Sequence, residues 1–152
     1  MIITKTFPEL DTEDLYQILR LRSEVFVVEQ DCVYQDIDNK DQNAIHLYYK
    51  ENDQIVAYTR IFKVGDYYEN PCIGRVVVSK KNRGNDLGKK IMIDSIEFIK
   101  QNIKGEKIEL SAQKYLDKFY KDLGFYKIGE DYLEDGIPHQ RMIKEINWLI
   151  NK

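Results

Sequence analysis

The sequence predicts an α/β fold of the mixed-sheet (α+β) kind, a central mixed sheet flanked by helices. Three observations carry this. Strand-like and helix-like runs alternate in the order β-α-β-β-β-α-β-α-β-β. Two β-rich runs, AIHLYYK and IVAYTRIFKV, bracket the polar turn ENDQ, as an antiparallel hairpin does. A further β-branched run, CIGRVVVS, passes through a turn with two glycines into an amphipathic helix.

In order, Met1–Phe7 reads as a first strand. Asp11 or Thr12 caps a helix whose first turn holds Glu13 and Asp14, where negative charge is favoured. Leu15, Ile18, Leu19 and Phe26 lie near one face, and the helix is expected to end around Glu29. DCVYQDIDNKDQN, with four aspartates and several turn formers, is a loop. The hairpin follows, then a turn at GDYYENP. CIGRVVVS, apolar almost throughout with Arg75 before its valines, suits a central strand. The next helix starts near Asp86 and spaces Gly88, Ile91, Met92, Ser95, Ile96 and Ile99 along one face. Gly88 there allows close approach to the sheet. KIELSAQ is a fifth strand. Leu116, Phe119, Tyr120 and Leu123 stripe a third helix, stopped by Gly124. Two last strands join through a loop at Glu134–Pro138, and Asn151 and Lys152 are expected to fray.

The chain has 152 residues, which suggests one domain over residues 1–152. A domain of that size buries roughly 70% of its unfolded surface and needs neither disulfide nor metal to fold. Net charge is −3, against the basic surface expected of a nucleic-acid binder. Cys32 and Cys72 are without a CxxC or nearby histidine, and read as reduced thiols. No apolar run approaches the ~18 residues of a membrane span. MIITKTFPEL lacks a signal-peptide core, so the expected location is the cytoplasm, away from membranes.

The stretch VVVSKKNRGNDLGKKIM holds the chemistry. The first turn of a helix carries unpaired N–H groups and the positive end of its dipole, so after a strand it makes an anion site. Gly84 permits close approach, and Arg83, Lys89 and Lys90 add positive charge. A diphosphate fits better than a lone carboxylate. Two familiar phosphate loops do not match. Gly84 and Gly88 stand one residue too close for a P-loop, and Lys90 occupies its hydroxyl position. The dinucleotide fingerprint requires GxGxxG after a first strand. The plainer reading is that the two glycines only shape a tight connection.

CIGRVVVSKKNRGNDLGKKIM resembles the acetyl-CoA-binding segment of the GNAT N-acetyltransferases. KIELSAQKYLDKFYKDLGF resembles the family's fifth strand and following helix, while LRSEVFVVEQDCVYQDID and EDGIPH resemble its ElaA-like branch. The resemblance covers nearly the whole chain and implies the GNAT acyl-CoA N-acyltransferase fold. In the family pattern (Arg or Gln, two residues, Gly, one residue, Gly or Ala), Arg83 takes the first place and Gly88 the last. Asp86 replaces the inner glycine. A carboxylate there repels a diphosphate if it points inward, but not if it caps the helix or faces solvent.

The resemblance implies acetyl transfer from acetyl-CoA to an amine, with CoA as product. It assigns the main chain of Val76, Val77 and Val78 to the pantetheine arm, with an N–H at or near Val78 for the oxyanion. The amides of Arg83, Gly84, Asn85, Asp86, Leu87, Gly88 and Lys89 take the diphosphate. Gln113, Phe119 and Tyr120 complete the coenzyme-binding set. Tyr120 matches the family's general acid; a phenol near pKa 10 is protonated at neutral pH and can donate to a thiolate. Its plainer role is a place in the helix stripe. His139 is the candidate base, because it titrates near neutrality; a structural histidine or a water chain is the alternative. His46 reads as structural.

The acceptor is left open between a small amine and a peptide or protein amine. The acidic residues of Asp31–Asp41 and Glu130, Asp131, Glu134 and Asp135 either steer a cation or form a solvated surface. Arg20 and Arg22 either bind an acceptor carboxylate or pair with Glu24 and Glu29. A homodimer is compatible with the sequence. The rival to an enzyme is a non-catalytic acyl-CoA-binding or protein-interaction module of the same fold.

Overall fold

The structure is a computed structural model that describes residues 1–146, so the expected fraying of Asn151 and Lys152 falls outside it. The expected element order is found. It runs β1 (Ile2–Thr6), α1 (Thr12–Arg22), β2 (Ile45–Glu51), β3 (Gln54–Phe62), β4 (Cys72–Val78), α2 (Leu87–Asn102), β5 (Lys107–Gln113), α3 (Asp117–Asp122), β6 (Tyr126–Glu134) and β7 (Ile137–Glu145). The strands form a mixed sheet in the order β1-β2-β3-β4-β5-β7-β6. β4 and β5 pair in parallel at Cys72 and Glu109, while β1-β2, β2-β3, β5-β7 and β6-β7 are antiparallel. The parallel pair confirms the central position read from CIGRVVVS. The described residues group into two compact units, 1–61 with 75–95, and 62–74 with 96–146.

In the first unit, α1 begins where Asp11 accepts the N–H of Asp14 at 2.7 Å, so Asp11 rather than Thr12 is the cap. The helix runs to Glu29 as expected, but its winding changes. Residues Ser23–Glu29 are π-helical, and the N–H groups of Gln30 and Cys32 reach back five residues to Val25 and Val27. The buried face is therefore Ile18, Leu21 and Val25, with Leu15 and Leu19 only half-buried. It packs in one cluster with Tyr48, Ile55, Tyr58 and Val77. The hairpin turns at Asn52 and Asp53, both at positive φ, as a type I′ turn requires.

The largest departure from expectation is the Asp31–Asp41 loop. It is not simply a solvated acidic surface, because Asp36, Asp38 and Asp41 turn inward onto three arginines and only Asp31 is left exposed. Arg22, with no exposed surface, donates through Nε to Asp36 at 2.9 Å and through Nη1 to Asp41 at 2.8 Å. Arg60 on β3 grips Asp38 with two bonds of 2.8 Å and reaches Asp41 at 2.9 Å. Arg75 on β4 pairs with Asp36 at 2.8 Å and lies over the Tyr34 ring. Arg22 is thus withdrawn from Glu29 and from any acceptor carboxylate. A buried guanidinium needs this many partners. Arg20 does pair with Glu24 at 3.1 Å, as one reading anticipated. His46 is structural, with Nδ1 at 2.7 Å from the Tyr58 hydroxyl and Nε2 at 3.0 Å from the Asp41 carbonyl.

In the second unit, β5 and β7 carry the buried side chains Ile108, Leu110, Ala112, Met142 and Ile143. Just past α3, Gly124 adopts φ +95°, a left-handed conformation that a residue with a Cβ rarely takes. That confirms its role as helix stop. Cys72 is buried and Cys32 half-buried, and they form no disulfide with each other.

Two outcomes follow for the buried network. Asp41→Ala leaves Arg22 and Arg60 short of a partner and should cost about 3–5 kcal/mol, read as a lower urea midpoint. Acid should also weaken the fold in two stages. Burial pushes His46 below its usual value, so the folded state resists charging it, and stability begins to fall once the pH drops below about 6.5. Burial alone would raise Asp38, but Arg60 and Arg75 outweigh it and hold the carboxyl at about 2. Its contribution, complete above the unfolded value near 4, is lost as the pH falls towards 2. Urea titrations across pH 3–8 check both stages.

Candidate functional site

The strand–turn–helix of the first unit is built around a bend. β4 runs unbroken from Cys72 to Val78, but Arg75 within it adopts φ +46°, a left-handed conformation costly for a residue with a Cβ. The side chain that bends the strand is the one clamped by Asp36 and Asp38. Beyond it Val77 is buried, while Val76 and Val78 are half-buried. Ser79 closes the strand by donating its N–H to the Val56 carbonyl at 2.8 Å. A 3-10 turn, Lys80–Asn82, then leads to Arg83 and Gly84.

Gly84 sits at φ +90° with nothing within 4 Å of where a Cβ would stand, so this part of the turn faces open space. Asp86 sits at φ +59°, the conformation that glycine adopts freely and that aspartate and asparagine tolerate best among the rest. Its carbonyl accepts the N–H of Lys90 at 3.0 Å, the first bond of α2. Asp86 therefore caps the helix through its main chain and keeps the turn geometry of a glycine. The amides of Leu87, Gly88 and Lys89 fall in the first turn of α2, where the helix has no partner for them. Gly84, Asn85, Asp86 and Lys89 are exposed, and Leu87 and Gly88 half-exposed. Amides, a helix N-terminus and flanking lysines suit a diphosphate.

Arg83 departs from the expected picture. Its guanidinium is not simply spare charge, because its fork meets Glu29 at 2.6 and 2.9 Å and its Nε reaches the Val78 carbonyl at 3.2 Å. The hydrogen bond from Arg83 is what holds the Glu29 carboxyl below its ordinary range. Sequence spacing hid this pair, since its members lie on elements far apart in the chain.

The other predicted site residues belong to the second unit. Tyr120 is buried in α3, edge-on to Phe119 and Phe125 at centroid distances of 5.0 and 6.1 Å. Burial pushes its hydroxyl above the usual phenol range, aided by the nearby Tyr115, so it is a proton carrier at neutral pH. Gln113 ends β5 directly opposite His139 on β7, and Tyr132 on β6 stands opposite His139 in turn. Alternation along β7 puts His139 and Gln140 on opposite faces. α3 is tied to the Gln140 face, where Asp117 accepts from Gln140 at 2.5 Å. The structure thus groups Gln113 with His139 and separates both from Tyr120 by the sheet.

His139 is buried. Its Nδ1 lies 2.7 Å from the Ile137 carbonyl, which fixes that nitrogen as the donor, and its Nε2 lies 3.4 Å from Glu134. Its ring stacks with Tyr132, centroids 6.1 Å apart. Beside it opens a cavity of about 400 Å³ lined by Tyr68, Glu69, Glu109, Tyr132, Glu134 and Arg141. Glu109, 2% exposed, takes a two-pronged hand from Arg141 at 2.5 and 2.9 Å and a bond from Asn70 at 3.2 Å. Of this lining only Glu134 was among the residues singled out in the sequence. The available signal was Glu109 itself, a carboxylate inside the apolar strand KIELSAQ. Of the other acidic residues noted there, Asp131 is held by Lys114 and Lys127, each at 2.5 Å.

Comparison with known proteins bears on this arrangement. A family model described as an acetyltransferase (GNAT) domain matches residues 8–146. Protein ElaA of Escherichia coli is 43% identical over 140 residues, 91% of this chain and 92% of that protein. Its crystal structure superposes with a TM-score of 0.88 at 40% identity, covering 95% of this chain and 99% of that one. An acyl-CoA N-acyltransferase from Pseudomonas aeruginosa gives a TM-score of 0.87 at 36% identity, again over 95% and 99% of the two chains.

The left-handed turn makes its own prediction. Asp86→Val should destabilise the protein by about 1–2 kcal/mol, because a β-branched residue resists positive φ. Asp86→Gly should cost less than that. Thermal melts of the two variants give the comparison.

Proposed function

Because the chain belongs to the GNAT acetyltransferase domain family, we propose that it moves an acetyl group from acetyl-CoA to a primary amine by direct attack of nitrogen on the thioester. The observation that supports this most is the exposed turn Arg83–Lys89. Its family glycine is replaced by Asp86, yet the backbone keeps the glycine conformation. The donors fit the coenzyme: outward amides, a helix N-terminus, and open space at Gly84.

When bound, acetyl-CoA supplies an acyl carbon activated towards nitrogen. The turn amides hold its diphosphate, and the main chain of Val76–Val78 lines its pantetheine arm. An N–H at or near Val78 donates to the carbonyl oxygen; one such donor is worth about 2.7–4 kcal/mol in comparable sites. His139 accepts a proton from the amine at Nε2, the nitrogen not committed to Ile137. Tyr120 gives its hydroxyl proton to the sulfur and recovers one from solvent. A C–N bond forms and the C–S bond breaks. The entering ammonium gives up two protons, one ending on sulfur and one in water. Tyr120 serves the sulfur and His139 the nitrogen, so the two proton transfers do not share a group.

Thiol release from acetyl-CoA across a panel of amines tests the activity. Turnover is expected with at least one amine, and coenzyme binding with no turnover on any amine would favour a non-catalytic binding module. Tyr120→Phe should lower kcat by about a hundredfold while leaving the KM for acetyl-CoA unchanged; an unaltered kcat would remove its role. Gly84→Trp, which fills the open side of the turn, should weaken CoA binding by about tenfold or more in a calorimetric titration.

A further inference from the structure

The cavity beside His139 carries more information than the coenzyme turn about what is acetylated. Its lining holds three carboxylates, Glu69, Glu109 and Glu134, and one guanidinium, Arg141. Arg141 is spent on Glu109 by the two-pronged contact. What the cavity offers an incoming molecule is therefore the negative charge of Glu69 and Glu134 and the rings of Tyr68 and Tyr132. Glu69 makes no ion pair among the described residues. Carboxylates beside aromatic rings bind alkylammonium groups, through charge and through the ring quadrupole together.

A second observation points the same way. With Nδ1 donating to the Ile137 carbonyl, the Nε2 of a neutral His139 is an acceptor, and it faces a carboxylate of Glu134 at 3.4 Å. Two acceptors at that separation repel, and an ammonium that gives one N–H to each relieves it; the nitrogen so placed lies against the group proposed to deprotonate it. Glu69 then stands available for a second positive charge on the same molecule. No cation in the lining is left to receive a carboxylate, which argues against amino acids and other acceptors carrying an acid near the amine.

Resting on the acetyltransferase reading, we propose that this cavity seats the acceptor, and that the acceptor is a small aliphatic primary amine bearing a second positive charge and no carboxylate. The volume of about 400 Å³ lies in the range of small-molecule pockets. Glu134 and His139 hold the reacting nitrogen, Glu69 binds the distal charge, and the tyrosine rings flank the apolar chain between.

Three compounds of one chain length test this: 1,4-diaminobutane, 1-aminobutane and 4-aminobutyrate, whose far ends are positive, neutral and negative. With the full chain and saturating acetyl-CoA, kcat/KM for thiol release should fall in that order, by about tenfold at each step. Glu69→Gln should raise the KM for 1,4-diaminobutane about tenfold and erase its advantage over 1-aminobutane, with the KM for acetyl-CoA unmoved. Glu69 lies exposed on a connecting segment, and a melting temperature equal to wild type would exclude misfolding; Glu134→Gln supplies a second variant, expected to weaken all three amines. Equal use of the three compounds, preference for 4-aminobutyrate, or an unchanged diamine KM in Glu69→Gln would overturn the assignment. Calorimetric titration of 1,4-diaminobutane separates this inference from the activity. Diamine binding weakened by Glu69→Gln, without thiol release, would uphold the cavity and sink the transfer reaction. Turnover on other amines without diamine binding would do the reverse, and neither binding nor turnover would overturn both.

Discussion

A buried exchange of charge, three aspartates against three arginines, holds the first unit in shape. Arg22 comes from the end of α1, Arg60 from β3, Arg75 from β4, and Asp36, Asp38 and Asp41 from a connecting loop. Ions removed from water cost several kcal/mol each, so such a set persists only when every charge is met and most hydrogen-bonding positions are used. That demand specifies the path of a long irregular segment that hydrophobic packing alone would leave loose. It also reaches the site. Arg75 is both a member of the set and the residue at which β4 bends, so the strand that leads to the coenzyme turn takes its local geometry from charge pairing.

The turn at Arg83–Lys89, proposed to hold the coenzyme, illustrates how a backbone requirement can be met by another residue than glycine. What the turn needs is a left-handed residue immediately before the helix. Glycine supplies it at no cost, and aspartate at a small one. The side chain is then set by other needs, here an acidic group at a helix N-terminus, where the dipole favours it. The second unit works differently. Its polar residues are gathered by strand alternation, which lines Gln113, His139 and Tyr132 across three neighbouring strands on one face.

Much of this was legible in the sequence because it is local. Asp11 as a cap, the hairpin about Asn52–Asp53, the strand–turn–helix and Gly124 as a stop each depend on a few adjacent residues. The order of the elements followed from their periodicities. What stayed hidden depends on residues distant in the chain. The loop aspartates looked like surface charge because nothing nearby announces Arg60 or Arg75. The π-helical winding of Ser23–Glu29 has no composition signal in SEVFVVE, and the buried face runs through Ile18, Leu21 and Val25 rather than Leu15 and Leu19. Of the cavity proposed for the acceptor and the histidine beside it, only Glu134 and His139 drew notice, within EDGIPH. Glu109, Tyr68 and Arg141 meet only after the strands have paired.

The contact between Glu29 and Arg83 has one more implication. A guanidinium placed for a diphosphate here already wears a carboxylate, delivered by the widened end of the first helix. On the proposed reading, a diphosphate and the Glu29 carboxylate compete for one guanidinium, so coenzyme binding would be an exchange of anions at the end of residues 23–29.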